Sequence, residues 1–311
     1  MVTWRELWAE TAATVGERTE AMWLCEVAAS AVDRAEFMAM LDEPATERMI
    51  AHLDAMLARL ATGEPLQYVL GQWSFRHIEV AIDRRVLIPR PETELVAGAA
   101  IDKARTFEPS RTVVDLGTGS GVIGLSLAAE LPLDGTTVWI TDASADALDV
   151  ARANLAGLGR KGRNVRVGEG PWFDAVPADL LFDVIVSNPP YVEAGSTELD
   201  ASVLDWEPAA ALFAGPDGLD DIGTIVRDSY DRLVPGGWLI LEIGAGQGAA
   251  VRDRLAERGF TAVEIRRDLA DRDRIAIAQR ATGPEKTANE ECSRTAPKLR
   301  REDIFLHVTS C

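Results

Sequence analysis

The chain has little cysteine, no long apolar run and a deficit of positive charge. Its 311 residues include three cysteines, Cys25, Cys292 and Cys311. They are odd in number and far apart, so neither a disulfide framework nor a zinc site is indicated, and a reducing compartment is expected. No apolar stretch approaches the roughly 20 residues that span a bilayer. Trp238-Leu239-Ile240-Leu241 is strand-length only. The first residues, Met1-Val2-Thr3-Trp4-Arg5-Glu6, lack the basic start and apolar stretch of a secretory signal. A soluble, cytoplasmic protein with no membrane partner is the expectation. Lysine and arginine number 32 against 50 aspartate and glutamate, a formal net charge of -18. Gripping a nucleic-acid backbone takes a basic surface that displaces counterions, so DNA is a disfavoured partner.

What is present is ordinary for a globular protein: 47% hydrophobic and 26% charged residues. The length allows one large domain and a smaller one. Trp4, Leu7, Trp8 and Thr11 recur at helical spacing, as do Met49, Leu53, Met56, Leu57 and Leu60 between Pro44 and Gly63. Residues 1–62 therefore read as a small helical domain. Glycines and prolines break residues 63–91, where Phe75, Ile78, Val80 and Ile82 suggest a short hairpin in a connector. Pro91-Glu92-Thr93-Glu94 opens the next helix, with acids where the helix dipole favours them. From about residue 111, strands and helices alternate. Strands are expected at 112–116, 137–141, 165–167, 182–187, 238–243, 262–266 and 275–278, the last two as an antiparallel edge hairpin. This pattern predicts a doubly wound, mostly parallel α/β sheet over 92–280. Residues 281–311 lose periodicity and are expected to be disordered.

Two motifs carry chemistry. The first, Asp115-Leu116-Gly117-Thr118-Gly119-Ser120-Gly121, joins a strand to a helix. Its glycines let backbone approach a ligand at the carboxyl edge of the sheet. Asp142, at the end of the next strand, has the chemistry to accept two hydrogen bonds from ribose hydroxyls. Both features suit NAD as well as S-adenosylmethionine. Asp115 has two roles open, supporting the loop or facing a cationic ligand group. Trp172 follows the third strand, where it either stacks on adenine or simply packs.

The second motif, Ser187-Asn188-Pro189-Pro190-Tyr191, follows the fourth strand at the same edge. An amide nitrogen is a poor nucleophile because its lone pair is delocalised, but its NH2 is a double donor. The Asn188 side-chain oxygen and the Pro189 carbonyl can accept from it, and two prolines preorganise them. Tyr191 supplies an apolar wall. Such acceptors align the nitrogen for in-line displacement from a sulfonium, where positioning supplies much of the rate. This chemistry calls for no metal and no strong base.

Together these residues resemble the release-factor glutamine N(5)-methyltransferase family, the HemK/PrmC type. The resemblance covers roughly 45–280. It includes Gly63-Glu64-Pro65-Leu66-Gln67-Tyr68-Val69-Leu70-Gly71 and Leu87-Ile88-Pro89-Arg90-Pro91-Glu92-Thr93-Glu94. It continues through Asn188-Pro189-Pro190-Tyr191, Glu207-Pro208, Gly218-Leu219-Asp220, Arg267-Asp268-Leu269 and Arg272-Asp273-Arg274. It implies a Rossmann-like, seven-stranded class I methyltransferase sheet with a small N-terminal helical domain that helps recognise the substrate. It implies S-adenosylmethionine as methyl donor, held by Gly117, Thr118, Gly119, Ser120, Gly121, Asp142, Trp172 and Asn188. Asn188, Pro189, Pro190 and Tyr191 would hold the glutamine, with Arg90, Glu92 and Thr93 nearby. The implied substrate is the Gly-Gly-Gln loop of a peptide chain release factor. Three alternatives stay open: another glutamine, such as one in a ribosomal protein; a base in DNA, which acidity and the connector oppose; and a silent scaffold, which the intact Asn-Pro-Pro-Tyr opposes.

Overall fold

Four helices come first, each begun by a side chain that can accept from a free amide. Thr3 caps α1 (Trp4–Val15) in a reciprocal box with Glu6. Glu17 caps α2 (Arg18–Ala29), Asp33 caps α3 (Arg34–Ala39) and Thr46 caps α4 (Glu47–Leu60). A computed structural model describes residues 2–197 and 199–282 of the chain; the tail expected to be disordered lies outside them from 283 onward. The helices bury Trp4, Leu24, Phe37, Leu53 and Met56 in one cluster. A fifth short helix, α5 (Leu66–Leu70), adds Leu66 and Val69 to it. The helical core therefore runs past residue 62 into the stretch read as connector, because α5 has apolar residues on the face it turns to α4.

The hairpin of β1 (Gln72–Phe75) and β2 (Ile78–Ala81) follows. Trp73 on β1 meets Trp23 on α2 edge-to-face at 5.6 Å, which joins the helical cluster to the rest. The hairpin's other end is held by a buried asparagine, Asn154, described below.

The remaining elements are α6 (Pro91–Ala104), β3 (Arg111–Leu116), α7 (Val122–Glu130), β4 (Thr136–Asp142) and α8 (Ala145–Gly157). Then come β5 (Val165–Glu169), β6 (Phe182–Ser187), α9 (Ala201–Trp206), α10 (Asp220–Arg232) and β7 (Leu233–Glu242). The chain closes with α11 (Gly248–Arg258), β8 (Phe260–Arg267) and β9 (Asp273–Arg280). The seven strands from β3 to β9 form one sheet in the order β5-β4-β3-β6-β7-β9-β8. The first five run parallel; β9 is antiparallel to both β7 and β8. This is the class I methyltransferase sheet. β7 begins five residues before the expected strand, with Pro235-Gly236-Gly237 absorbed as an irregularity in its pairing to β6. α10 has no counterpart among the elements expected from sequence.

The central strands are apolar on both faces, as covered parallel strands must be. Val113, Val114, Val184, Ile185 and Val186 are fully buried, each contributing about 1.5–3 kcal/mol by leaving water. One face packs α6, α7 and the hairpin; the other packs α10 and α11. Strand order reverses between β3 and β6, and the crevice outside their carboxyl ends is where such sheets bind ligands.

Candidate active site

The loop after β3 is bent by three glycines in the left-handed region, Gly117, Gly119 and Gly121, at φ 69°, 55° and 92°. The loop is held from below by Asp115, which has no exposed surface. Its Oδ2 accepts from the Thr118 hydroxyl at 2.5 Å and the Gly124 amide at 2.9 Å. Burial pushes this carboxyl up to about 7, with the nearby Asp142 charge adding and the two hydrogen bonds resisting. Of the two roles open to Asp115, its position is that of a loop support. Asp142 holds the loop from the side. Its Oδ2 accepts from the Gly119 amide at 2.9 Å and its Oδ1 from the Ser144 amide at 2.9 Å. Each oxygen keeps a further lone pair. Trp172 closes the far wall: a Cβ on Gly117 would lie 3.3 Å from its ring.

Asn154 on α8 anchors the same loop to the hairpin. Its Nδ2 donates to Ser120 O at 2.8 Å and Ala81 O at 3.0 Å, and its Oδ1 accepts from the Ala81 amide at 2.7 Å. It is a residue that motif reading does not single out.

The second wall is the turn after β6. Ser187 donates to Leu116 O at 2.7 Å, locking this strand end to the glycine loop. Asn188 Nδ2 donates to Thr93 Oγ1 at 3.3 Å, and Thr93 donates to Glu242 Oε2 at 2.7 Å. The Tyr191 hydroxyl donates to Glu242 Oε1 at 3.2 Å and accepts from Arg274 at 3.4 Å. Burial pushes the Glu242 carboxyl up to about 7; Thr93, Arg274 and Tyr191 resist and Glu92 adds. Burial and the Glu242 charge raise the Tyr191 phenol. Behind the turn, Gln247 donates to Tyr191 O at 3.0 Å and Gly218 O at 3.2 Å. Gly218 has φ 70° and its missing side chain would run into Tyr191 O, which explains the glycine in that motif.

Arg90 closes the front. It donates to Glu207 Oε1 at 2.5 Å while Glu207 Oε2 accepts from the Ile88 amide at 3.1 Å. Glu207 is buried, so this pair fixes the Leu87–Arg90 segment against Pro208.

One cleft of about 400 Å³ results. Gly117, Thr118, Gly119, Ser120, Asp142, Trp172, Asn188, Pro190 and Arg90 line it, together with Thr93, Pro208 and Asp221. The side chains of Asp115, Pro189 and Tyr191 and the Gly121 turn stand behind its wall. Gly121 is the α7 cap, Pro189 is buried and Tyr191 sits behind the turn. Glu242 was not among the residues expected at the site. The signal was a lone acid closing the apolar run Trp238-Leu239-Ile240-Leu241 at the sheet edge.

The models of two protein families match this chain. One, described as the Methyltransferase small domain, matches residues 99–205, and the other, the PrmC N-terminal domain, matches residues 10–71. The release factor glutamine methyltransferase of Neisseria gonorrhoeae is 44% identical over 227 residues, 73% of this chain and 80% of that protein. That of Burkholderia pseudomallei is 42% identical over 244 residues, 78% of this chain and 85% of that one. The chain belongs to the release factor glutamine methyltransferase family. A solved structure of a release factor-specific protein-(glutamine-N5) methyltransferase from Alicyclobacillus acidocaldarius is 30% identical. It covers 62% of this chain and 94% of its own, with a TM-score of 0.39. Members of this family are S-adenosylmethionine-dependent methyltransferases, so this chain must take a nucleoside with a charged amino-acid arm. The residues fit that demand: bare glycine backbone, a fixed carboxylate at Asp142 and an indole face line the same cleft.

Proposed function

We propose that this protein transfers a methyl group from S-adenosylmethionine to the side-chain amide nitrogen of a glutamine, in the Gly-Gly-Gln loop of a peptide chain release factor. The observation that carries this reading is the shared cleft: the glycine loop and Asn188 line one space, and Asn188 is held by Thr93 through its NH2 end. Its Oδ1 is then free to accept. In the cleft, the cofactor supplies an electrophilic methyl on a sulfonium. Gly117, Thr118, Gly119, Ser120, Asp142 and Trp172 would hold it. Asn188 Oδ1 and the Pro189 carbonyl would accept the two N–H bonds of the glutamine and draw its nitrogen out of conjugation. Pro190 and Tyr191 keep that turn rigid. An amide nitrogen that gains a substituent is strongly acidic, so it sheds its extra proton without a strong base.

A glutamine flanked by glycines can enter such a cleft because glycine lets its backbone come close. A duplex base would need to be flipped out over a basic track, and a net charge of -18 opposes one. The N-terminal helices and the hairpin would dock the body of the release factor. Among the described residues no helix is long and apolar enough to cross a membrane. The test is mass spectrometry after incubation with S-adenosylmethionine and, in separate arms, release factor, free glutamine and plasmid DNA. One methyl group on the release-factor glutamine is expected. Label in DNA, or equal label in free glutamine, overturns the reading.

A further inference from the structure

Glu242 belongs to none of the motifs, yet both hydroxyls behind the acceptor turn point at it. It closes β7, and Ser187 and Leu241 are register partners, so β7 delivers it beside the turn that carries Asn188. The groups facing it come from three elements. α6 brings Thr93 and the charge of Glu92; the turn brings Tyr191; β9 brings Arg274, itself tied to Asp268 at 3.4 Å. A carboxylate can only accept. Thr93 has one hydroxyl proton, and Glu242 takes it. The Thr93 oxygen must then receive, and what it receives is Asn188 Nδ2. The polarity of the chain is thus fixed from its buried end.

We propose that Glu242 is a positioning residue for methyl transfer. Acting through Thr93, it dictates that the Asn188 amide presents oxygen rather than NH2 to the acceptor nitrogen, and through Tyr191 it steadies the turn. This inference rests on the reading of Asn188 Oδ1 as an acceptor for glutamine. Protonating Glu242 at Oε2, the oxygen that faces Thr93, reverses the chain. The acid can donate to Thr93, Thr93 can donate to Asn188 Oδ1, and the amide turns its NH2 to the cleft, donor against donor. With the carboxyl raised to about 7 by burial, that reversal falls near neutral pH, on the acid side.

The test uses the full chain with S-adenosylmethionine and a release factor. Glu242→Gln and Thr93→Val should each lower kcat about tenfold to a hundredfold, the scale of a misplaced acceptor. KM for S-adenosylmethionine should stay within about twofold of wild type, because the cofactor wall keeps its contacts. Thr93→Ser keeps the hydroxyl and should restore most of kcat. Wild-type kcat should fall as pH drops through about 7, and Glu242→Gln should lack that limb. A second readout needs no substrate. In the protein alone, a nuclear Overhauser contact between the Asn188 NH2 protons and Thr93 should be present and should vanish in Glu242→Gln. If wild type fails to methylate the release factor, the function reading fails while the Overhauser contact still decides the orientation. Should Glu242→Gln not fold, Thr93→Val decides. Wild-type kcat in Thr93→Val, an unchanged acid limb in Glu242→Gln, or a persistent Asn188–Thr93 contact overturns the proposal.

Discussion

On the side of the cleft proposed for the cofactor the ligand-facing groups are largely backbone: a glycine loop, fixed by two carboxylates that lie at the ends of adjacent strands. On the proposed acceptor side a side chain joins one backbone carbonyl, and the chain that holds Asn188 draws on α6, β7 and β9, with Thr93 and Glu242 149 residues apart in sequence. The first construction is local and tolerant of loop chemistry. The second depends on every donor and acceptor in series, so one lost hydroxyl misorients the rest. The two halves should therefore fail differently, the first in binding and the second in rate.

The sharpest break is Asn188→Ala. It removes a preorganised acceptor, and kcat should fall by about a hundredfold or more. Binding of S-adenosylmethionine, measured by calorimetry, should weaken only slightly because the glycine loop and Asp142 remain. Turnover near wild type in this variant would mean that Asn188 does not hold the acceptor.

The same contrast explains what could be read from sequence. Asp115–Gly121 and Asp142 are legible because their contacts lie within one strand-turn-helix unit and its neighbour; glycine spacing and an acid at a strand end are local signals. Asn188 to Tyr191 were legible as a motif. Their support was not. Glu242 hides as the last residue of an apolar strand, and only the sheet order, with β7 beside β6, makes it a neighbour of Thr93 and Tyr191. Asn154 is similar: a helical asparagine with no local mark, whose meaning comes from a hairpin 73 residues away. The reach of the helical core past residue 62 has a like reason. α4 ends at Leu60 and Gly63 turns the chain just after it, but the burial of Leu66 and Val69 in the helical core depends on tertiary packing.

Asp142→Ala tests the binding side. Hydrogen bonds to a charged acceptor are lost, together with the tether on Gly119 and Ser144. Affinity for S-adenosylmethionine should drop by about 1–3 kcal/mol. At saturating cofactor, kcat should recover to within a few-fold of wild type. Equal affinities by calorimetry would remove Asp142 from the site; a kcat that stays low at saturation would show that the two halves are not separable.

The smallest effect is expected at Trp172. The ring is half-buried, carried by a residue at φ 46°, and lies against Gly117. It packs on the core below, so some of its role is structural. A flat aromatic face at the cleft wall adds about 0.5–1.5 kcal/mol beyond area burial when another ring lies on it. Trp172→Ala should weaken S-adenosylmethionine by roughly 2–10-fold, Trp172→Phe by less, and neither should change kcat at saturation. Gly117→Ala is the complementary probe. It forces a side chain into the left-handed region, at a cost of about 1–2 kcal/mol, and crowds the indole from the loop side. If the ring contacts the cofactor, Gly117→Ala should lose less affinity in a Trp172→Ala background than alone, because the crowded group is gone. Strict additivity, with unchanged affinity in Trp172→Ala alone, would reduce the tryptophan to packing and leave Asp142 and the loop backbone as the holders of the cofactor.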